Sequence, residues 1–384
     1  MSEWPMVKLG EIARVVAGGT PKTSVLEYWD GDIPWVTPKD LALSESLWIN
    51  AGERFITDYG LAKSAAALLP RGTVLWSSRA PIGLVAIANN QIATNQGFKS
   101  FVPGGELDSE YLAYFLIHQR PILEMMGVGA TFKEVSAKRA AEIMVPLPPL
   151  GEQKRIAEIL GRVAEAEQHV QDTLELLDEV AKSSFYTFCG IPDHFERRKK
   201  LGEIAIVATG NTPPRKDPSN YGSYIEWIKS DNLGSIFPTP ASEFLSEEGL
   251  KRGRVAAPGS LLMTCIAGSI KSIGKCSVVN RKVAFNQQIN SIKPVNNEDL
   301  HYLYLLFYVA PYLVQRRSTG GLKGIVKKSS LEMCEIPWPE RKVRQMIGTF
   351  CQEWINCHLL VMRKLSLLQE LQKSLANRAF AGLL

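Results

Sequence analysis

The sequence is short of what metal and thiol chemistry require. Its six cysteines, at positions 189, 265, 276, 334, 351 and 357, never recur at two-residue spacing. The five histidines, at 118, 169, 194, 301 and 358, do not stand at ligand intervals from them. A zinc-knuckle site is thereby excluded, and buried free thiols are expected. Cys357 and His358 adjoin, but neighbouring residues of a helix point to different faces. No apolar run approaches the length that crosses a bilayer, and Met1 leads into a charged, Trp-containing segment instead of a basic apolar leader. A cytoplasmic protein without a membrane partner is expected. Gly268 to Lys275 imitates a phosphate loop, yet five residues separate its glycines where the motif needs four, and Cys276 replaces the Ser or Thr that holds magnesium. Asp193 follows Pro192 without the Glu-any-Lys of a nuclease metal site, and no glycine-rich cofactor loop follows a strand. With no nucleophile, metal or cofactor constellation, the chain reads as a non-enzyme, holding no catalytic residue, cofactor or metal of its own.

What is present is repetition. From Pro146 the chain reads Pro-Leu-Pro-Pro-Leu-Gly-Glu-Gln-Lys-Arg-Ile, and the prolines predict a helix starting just after them with Glu152 in its positive first turn. Ile156, Leu160, Val163, Glu167, Val170, Leu174, Leu177, Ala181, Ser184 and Phe188 recur every 3.5 residues on average, the spacing of a coiled-coil seam. Adding 191 gives Ile347, Cys351, Trp354, His358, Val361, Leu365, Leu368, Gln372, Leu375 and Ala379, which keep the same register. Neither helix has an obvious partner within its own half, so each is expected to cover the other's stripe. The charges agree: residues 151–190 carry 4 basic and 8 acidic groups, residues 341–384 carry 7 basic and 2 acidic.

A second repeat lies outside the helices. Residues 7–21 read Val-Lys-Leu-Gly-Glu-Ile-Ala-Arg-Val-Val-Ala-Gly-Gly-Thr-Pro, and residues 199–213 read Lys-Lys-Leu-Gly-Glu-Ile-Ala-Ile-Val-Ala-Thr-Gly-Asn-Thr-Pro. Trp35 meets Trp227, Asn95-Gln96 meets Asn286-Gln287, and the Gly129 to Lys133 stretch meets Gly320 to Lys323. Duplication of a whole domain follows. The expected fold is α+β: two mixed α/β modules, residues 1–150 and 191–340, joined by helices over 151–190 and 341–384 that form an antiparallel intramolecular coiled coil with approximate two-fold symmetry.

The copies differ at polar, basic stretches. Lys22-Thr23-Ser24 stands against Pro214-Arg215-Lys216, and Trp76-Ser77-Ser78-Arg79 against Thr264 to Lys271. Two similar modules with unlike tips suit a reader of two different half-sites on double-stranded DNA, basic groups neutralising phosphates and a few side chains reaching base edges. The candidates are Lys22, Lys39, Ser78, Arg79, Lys99 and Lys133 in the first module. In the second they are Arg215, Lys216, Lys229, Lys271, Lys275, Lys323, Lys327 and Lys328. Any one alone reads as a solvated surface charge; the grouping carries the assignment. Asn95-Gln96 and Asn286-Gln287 recur in both copies and are therefore expected to be scaffold, as are Trp35, Trp227, Leu9 and Leu201.

The Pro146 to Ile156 run, the repeated Leu-Gly-Glu-Ile with Gly-any-Thr-Pro, and the Asn-Gln pairs resemble the specificity subunit of type I restriction-modification enzymes across essentially the whole chain. The resemblance implies a DNA-recognition subunit with two target recognition domains for a bipartite, asymmetric sequence, and helices that set the gap between half-sites. It further implies two methyltransferase subunits docked on the helices and a restriction subunit recruited to them, with S-adenosylmethionine, ATP and magnesium used by those partners. Pro337-Trp338-Pro339-Glu340-Arg341-Lys342 lacks the Glu-Gln pair of the first copy, so contacts of Glu152 and Gln153 are not expected to be duplicated. Competing classes are a coiled-coil scaffold that reads no DNA and a targeting subunit of another DNA-modification system.

Overall fold

The computed structural model describes residues 4–128, 133–319 and 324–384. Two compact units emerge, Met1–Gln171 with Arg363–Leu384, and Asp172–Met362. The division falls inside the two long helices, Leu150–Cys189 and Arg341–Phe380, each 40 residues long. Each unit thus contains one module and half of each helix.

In the first unit a five-stranded sheet runs in the order Ala13–Ala17, Lys99–Pro103, Val74–Ser78, Ile82–Ala88, Trp48–Ile49. Beside it a three-stranded sheet pairs Arg54–Ile56, Trp29–Val36 and Ala93–Thr94. Val74 and Trp76 face a cluster with Tyr111, Leu112 and Leu116, while Leu75 faces another with Ile49 and Phe98. That central strand is therefore buried on both faces. Helix Ser109–Met125 starts at Asp108, whose Oδ1 accepts the backbone N–H groups of Glu110 and Tyr111 at 3.0 Å each.

The second unit repeats the plan. One sheet orders Ala205–Thr209, Ile289–Pro294, Leu261–Thr264 and Cys276–Val278, and the other Phe244–Leu245, Tyr221–Ile228, Val283–Phe285 and Val255–Ala256. In both units a two-stranded ribbon leads into the long helix: Met6–Lys8 pairs with Met144–Pro146, and Arg198–Lys200 with Glu335–Pro337. The same phenol closes it each time. Tyr111 donates to the Pro146 carbonyl at 2.7 Å, and Tyr302 to the Pro337 carbonyl at 2.5 Å.

The helices run antiparallel within each unit. In the first, Arg155 donates to the Leu384 carbonyl at 2.9 Å, and Ile156, Ala157 and Leu160 share a core with Ala376, Ala379 and Phe380. In the second, the Trp354 indole donates to the Leu177 carbonyl at 2.9 Å, and Ala181 and Phe185 share a core with Ile347, Cys351 and Trp354. The expected seam needs one correction. Phe188 is exposed and touches Phe350 at a ring distance of 5.9 Å, while Phe185 and Cys189 are buried, because the last turns pack on Tyr302 of the module as well as on the facing helix. The expectation that neither helix has a partner in its own half also fails. Ile156 and Leu160 join the core of the first module, and Ile347 and Trp354 join that of the second.

The helix starts show a substitution that sequence comparison missed. Gln153 is buried; its carbonyl accepts the Asp108 N–H and its amide donates to Glu106 and Pro148, each at 2.8 Å. In the second unit Arg344 occupies that place, bonded to Asp299 at 2.8 Å and to the Pro339 carbonyl at 2.6 Å, with its guanidinium 4.1 Å from the Trp338 ring. The Gln153 contacts are duplicated after all, by an ion pair. Removing one partner of a buried pair strands the other charge, so Arg344→Ala should cost about 3 kcal/mol or more. Gln153→Ala loses neutral hydrogen bonds and should cost about 1 to 2 kcal/mol. Denaturant titration of both variants checks the order.

The seams carry polar residues. His358 lies 3.6 Å from Asp178, and burial lowers its affinity for a proton against the pull of that carboxylate. Glu167 lies half-buried in the first unit's seam, and burial raises its carboxyl above the ordinary value of 4.5. A carboxyl raised on folding costs stability where the unfolded chain is ionised, and the cost fades as pH falls through the unfolded value. Glu167→Gln should therefore raise the unfolding midpoint at pH 7, and the difference should close as pH approaches 4.5; melting curves across that range measure it.

Candidate nucleic-acid interface

Within each copy the two recurring motifs meet in space. Thr20 of Gly18-Gly19-Thr20-Pro21 hydrogen-bonds Gln96, and Thr212 of Gly210-Asn211-Thr212-Pro213 hydrogen-bonds Gln287. The leading glycine is required by close approach: a Cβ on Gly18 would stand 1.9 Å from the Asn95 carbonyl oxygen, and one on Gly210 2.1 Å from that of Asn286. Asn95 and Asn286 turn their Oδ1 atoms inward to accept the N–H two residues on, at 2.8 and 3.0 Å. These amides hold the turn, and Trp35, Trp227, Leu9 and Leu201 are buried as expected of scaffold.

In the first module the structure gathers Arg79, Lys99 and Lys133 around Glu134. Lys99 stands 3.0 Å and Arg79 3.6 Å from the Glu134 carboxylate. Arg79, Lys133 and Glu134 line a cavity of about 710 Å³ with Ala80, Pro81, Ile82 and Glu124. Two candidates need correction. Ser78 is fully buried, and its hydroxyl donates to the Gly97 carbonyl at 3.1 Å. Lys99 is 7% exposed, with its ammonium 3.4 Å from Ser78 Oγ as well as beside Glu134. Both belong to strands covered on their two faces, so neither is a tip. Lys22 is exposed and gives its backbone carbonyl to the Trp29 indole, and Lys39 pairs with Glu53 at 2.9 Å.

In the second module Arg215 and Lys229 converge on Glu243, whose carboxyl they hold below its ordinary range, Lys229 first. The Arg215 guanidinium lies 4.9 Å from the Tyr221 ring and 5.0 Å from that of Trp227. Lys216 is exposed beside it. Lys271 and Lys275 line a separate cavity of about 310 Å³ with Gly234, Ser235 and Tyr308. Lys327 and Lys328 are exposed elsewhere, Lys328 reaching Glu332 at 3.4 Å. Lys323 lies outside the described residues, as do Gly129 to Phe132 and Gly320 to Leu322.

One basic group escaped sequence reasoning. The Arg54 guanidinium lies 3.5 Å from the Trp29 ring, the place that Arg215 takes over Tyr221. Arg54 enters from the strand opposite Trp35 and Arg215 from the loop after Thr212-Pro213, so no shared position betrays the likeness. Among the described residues no group of three or more His, Cys, Asp or Glu is placed to hold a metal ion. Burial pushes the Cys189 thiol up to about 11 and those of Cys265 and Cys276 to about 12, away from nucleophile range. Cys357, expected buried like the others, is exposed.

A duplicated scaffold with unlike basic surfaces defines a two-module recognition protein. The chain belongs to the family described as the type I restriction modification DNA specificity domain, which matches residues 1–176 and again 192–369. It is a type I restriction-modification specificity subunit, with two recognition domains in one polypeptide. The chain is 28% identical over 404 residues to the type I restriction enzyme MjaIX specificity subunit of Methanocaldococcus jannaschii, covering 99% of this chain and 93% of that one. The crystal structure of the type I restriction-modification S subunit from M. genitalium shares the fold at a TM-score of 0.59 and 13% identity, covering 98% of this chain and 96% of that one. A chain from a structural study of complex assembly and conformational transition in the type I R-M system shares it at 0.57 and 18% identity, covering 99% and 98%. Ser78→Ala should cost about 1 kcal/mol of stability and leave the salt dependence of DNA binding unchanged, as urea unfolding and salt-series binding would record.

Proposed function

We propose that each module reads one half of a bipartite, asymmetric double-stranded DNA target, and that the two long helices dock two methyltransferase subunits, to which a restriction subunit is recruited. The observation that carries the reading is the contrast between the ties that recur and the groups that do not. Thr20 with Gln96 and Thr212 with Gln287 hold one scaffold twice, whereas Arg79 in one module is answered by Lys271 in the other, from differently built loops. Unlike surfaces on one frame choose unlike sequences.

Lys22, Lys39, Arg79, Lys133, Arg215, Lys216, Lys229, Lys271, Lys275, Lys327 and Lys328 are the groups proposed to face DNA, with Arg54 added. Ser78 and Lys99 support them from beneath. The helices offer the docking surfaces: Leu176, Val180 and Leu360 in the second unit, and Leu367 and Leu371 in the first, are exposed large apolar side chains. Catalysis belongs in this reading to the partners, which use S-adenosylmethionine, ATP and magnesium.

The test is methylation mapping in cells that carry the complete operon, with residues 1–150 exchanged for those of another family member. One half of the methylated motif should change and the other persist. Change in both halves, or in neither, contradicts modular reading.

A further inference from the structure

A guanidinium sits on the same aromatic pair in both modules, but different residues supply it. The pair is Trp29 with Trp35 in the first module, ring centres 5.1 Å apart and edge-on, and Tyr221 with Trp227 in the second, 6.0 Å apart and edge-on. Strand register fixes the equivalence: Trp29 and Ile33 both pair with Ile56 across an irregularity, as Tyr221 and Ile225 both pair with Leu245. Over the first pair lies the guanidinium of Arg54, 3.5 Å from the Trp29 ring and 5.9 Å from that of Trp35. Over the second lies that of Arg215, 4.9 and 5.0 Å from its two rings.

The residue that stands where Arg54 stands is an acid. Trp35 pairs with Arg54 and Pro34 with Phe55, whereas Glu226 pairs with Phe244 and the Trp227 N–H donates to the Glu243 carbonyl at 3.0 Å, which puts Glu243 at the place of Arg54. Two substitutions answer this reversal of charge. The match of Thr20-Pro21 with Thr212-Pro213 carries Thr23 onto Arg215, and that of Trp35 with Trp227 carries Thr37 onto Lys229. Both new cations reach the Glu243 carboxylate, Arg215 at 2.7 Å. Two cations against one acid leave one positive charge at this place, the charge that Arg54 supplies alone in the first module.

Covering a ring face does not demand charge, since leucine or methionine would do it. What both modules build, by separate routes, is a planar, permanently charged fork that fits a phosphate. Arg54 and Arg215 are both exposed, and among the described residues Arg54 enters no ion pair. A group kept through such rearrangement serves what two unlike half-sites have in common, and that is the phosphate backbone. Resting on the DNA-reading half of the proposed function, we infer that Arg54 and Arg215 are equivalent phosphate clamps, one for each half-site. Each grips a backbone phosphate from its aromatic seat and adds affinity without choosing a base.

The experiment uses the full chain assembled with its methyltransferase subunits, bound across a salt series to duplex carrying the motif that the complex methylates, or to random duplex. Arg54→Gln and Arg215→Gln should each weaken binding to both duplexes by the same factor. Each should also lower the slope of log affinity against log salt by about one, and the double variant by about two. Arg54→Lys should keep the slope, and the methylated motif should stay the same in every variant. A motif relaxed at one position makes the arginine a base reader, and an unchanged slope makes it a cover for the rings; either result overturns the inference. Arg215→Thr, Lys229→Thr and Glu243→Arg together rebuild the first module's arrangement in the second and should keep both slope and motif. A lowered slope from that variant, in a complex that assembles and melts as the parent does, overturns the equivalence. A parent complex that binds its own motif no more tightly than random duplex overturns the DNA-reading half itself.

Discussion

An amphipathic helix of forty residues leaves its apolar stripe in water unless something covers it, and the rest of this fold follows from how that cover is provided. In each unit half of one long helix lies against half of the other, and a module packs its own helix onto the pair. Tyr111 and Phe115 meet Phe380, and Tyr302 and Tyr304 meet Phe185 and Trp354. Module core and helix seam are one hydrophobic body, so a recognition surface is fixed to the helices by burial and by the phenol that closes each ribbon.

Polar residues inside the seams select among the ways two apolar stripes can meet. Asp178 with His358, and Glu167 near Gln372, interrupt packing that leucines alone would leave free to slide by a turn. His358 stands at the seam position of Glu167 in the other copy, 191 residues away. The duplicated gene has kept a polar group there while changing its chemistry.

The repeat, the helix starts and the antiparallel pairing were legible because each is written in spacing, and spacing survives divergence. The Gly-any-Thr-Pro and Asn-Gln motifs were legible as scaffold because both copies keep them, and their mutual hydrogen bonds give the reason. What escaped was written in chemistry instead. Arg344 does the work of Gln153 with no likeness of side chain, and Arg54 covers its tryptophan from a position that Arg215 does not share. Ser78 read as part of a polar, basic tip. Only packing shows that Val74–Ser78 is covered on both faces, Trp76 toward one cluster and Leu75 toward the other, which leaves its serine and the neighbouring Lys99 enclosed.

The way each unit is cut from the chain bears on how the protein is made. The second unit is one uninterrupted stretch, Asp172–Met362, whereas the first needs Arg363–Leu384 as well. During synthesis the later-encoded unit is the first to possess all its parts. Tyr111, Phe115 and Leu160 must wait, uncovered, until the ribosome delivers Ala376, Ala379 and Phe380, which reverses the usual order in which domains mature from the amino terminus.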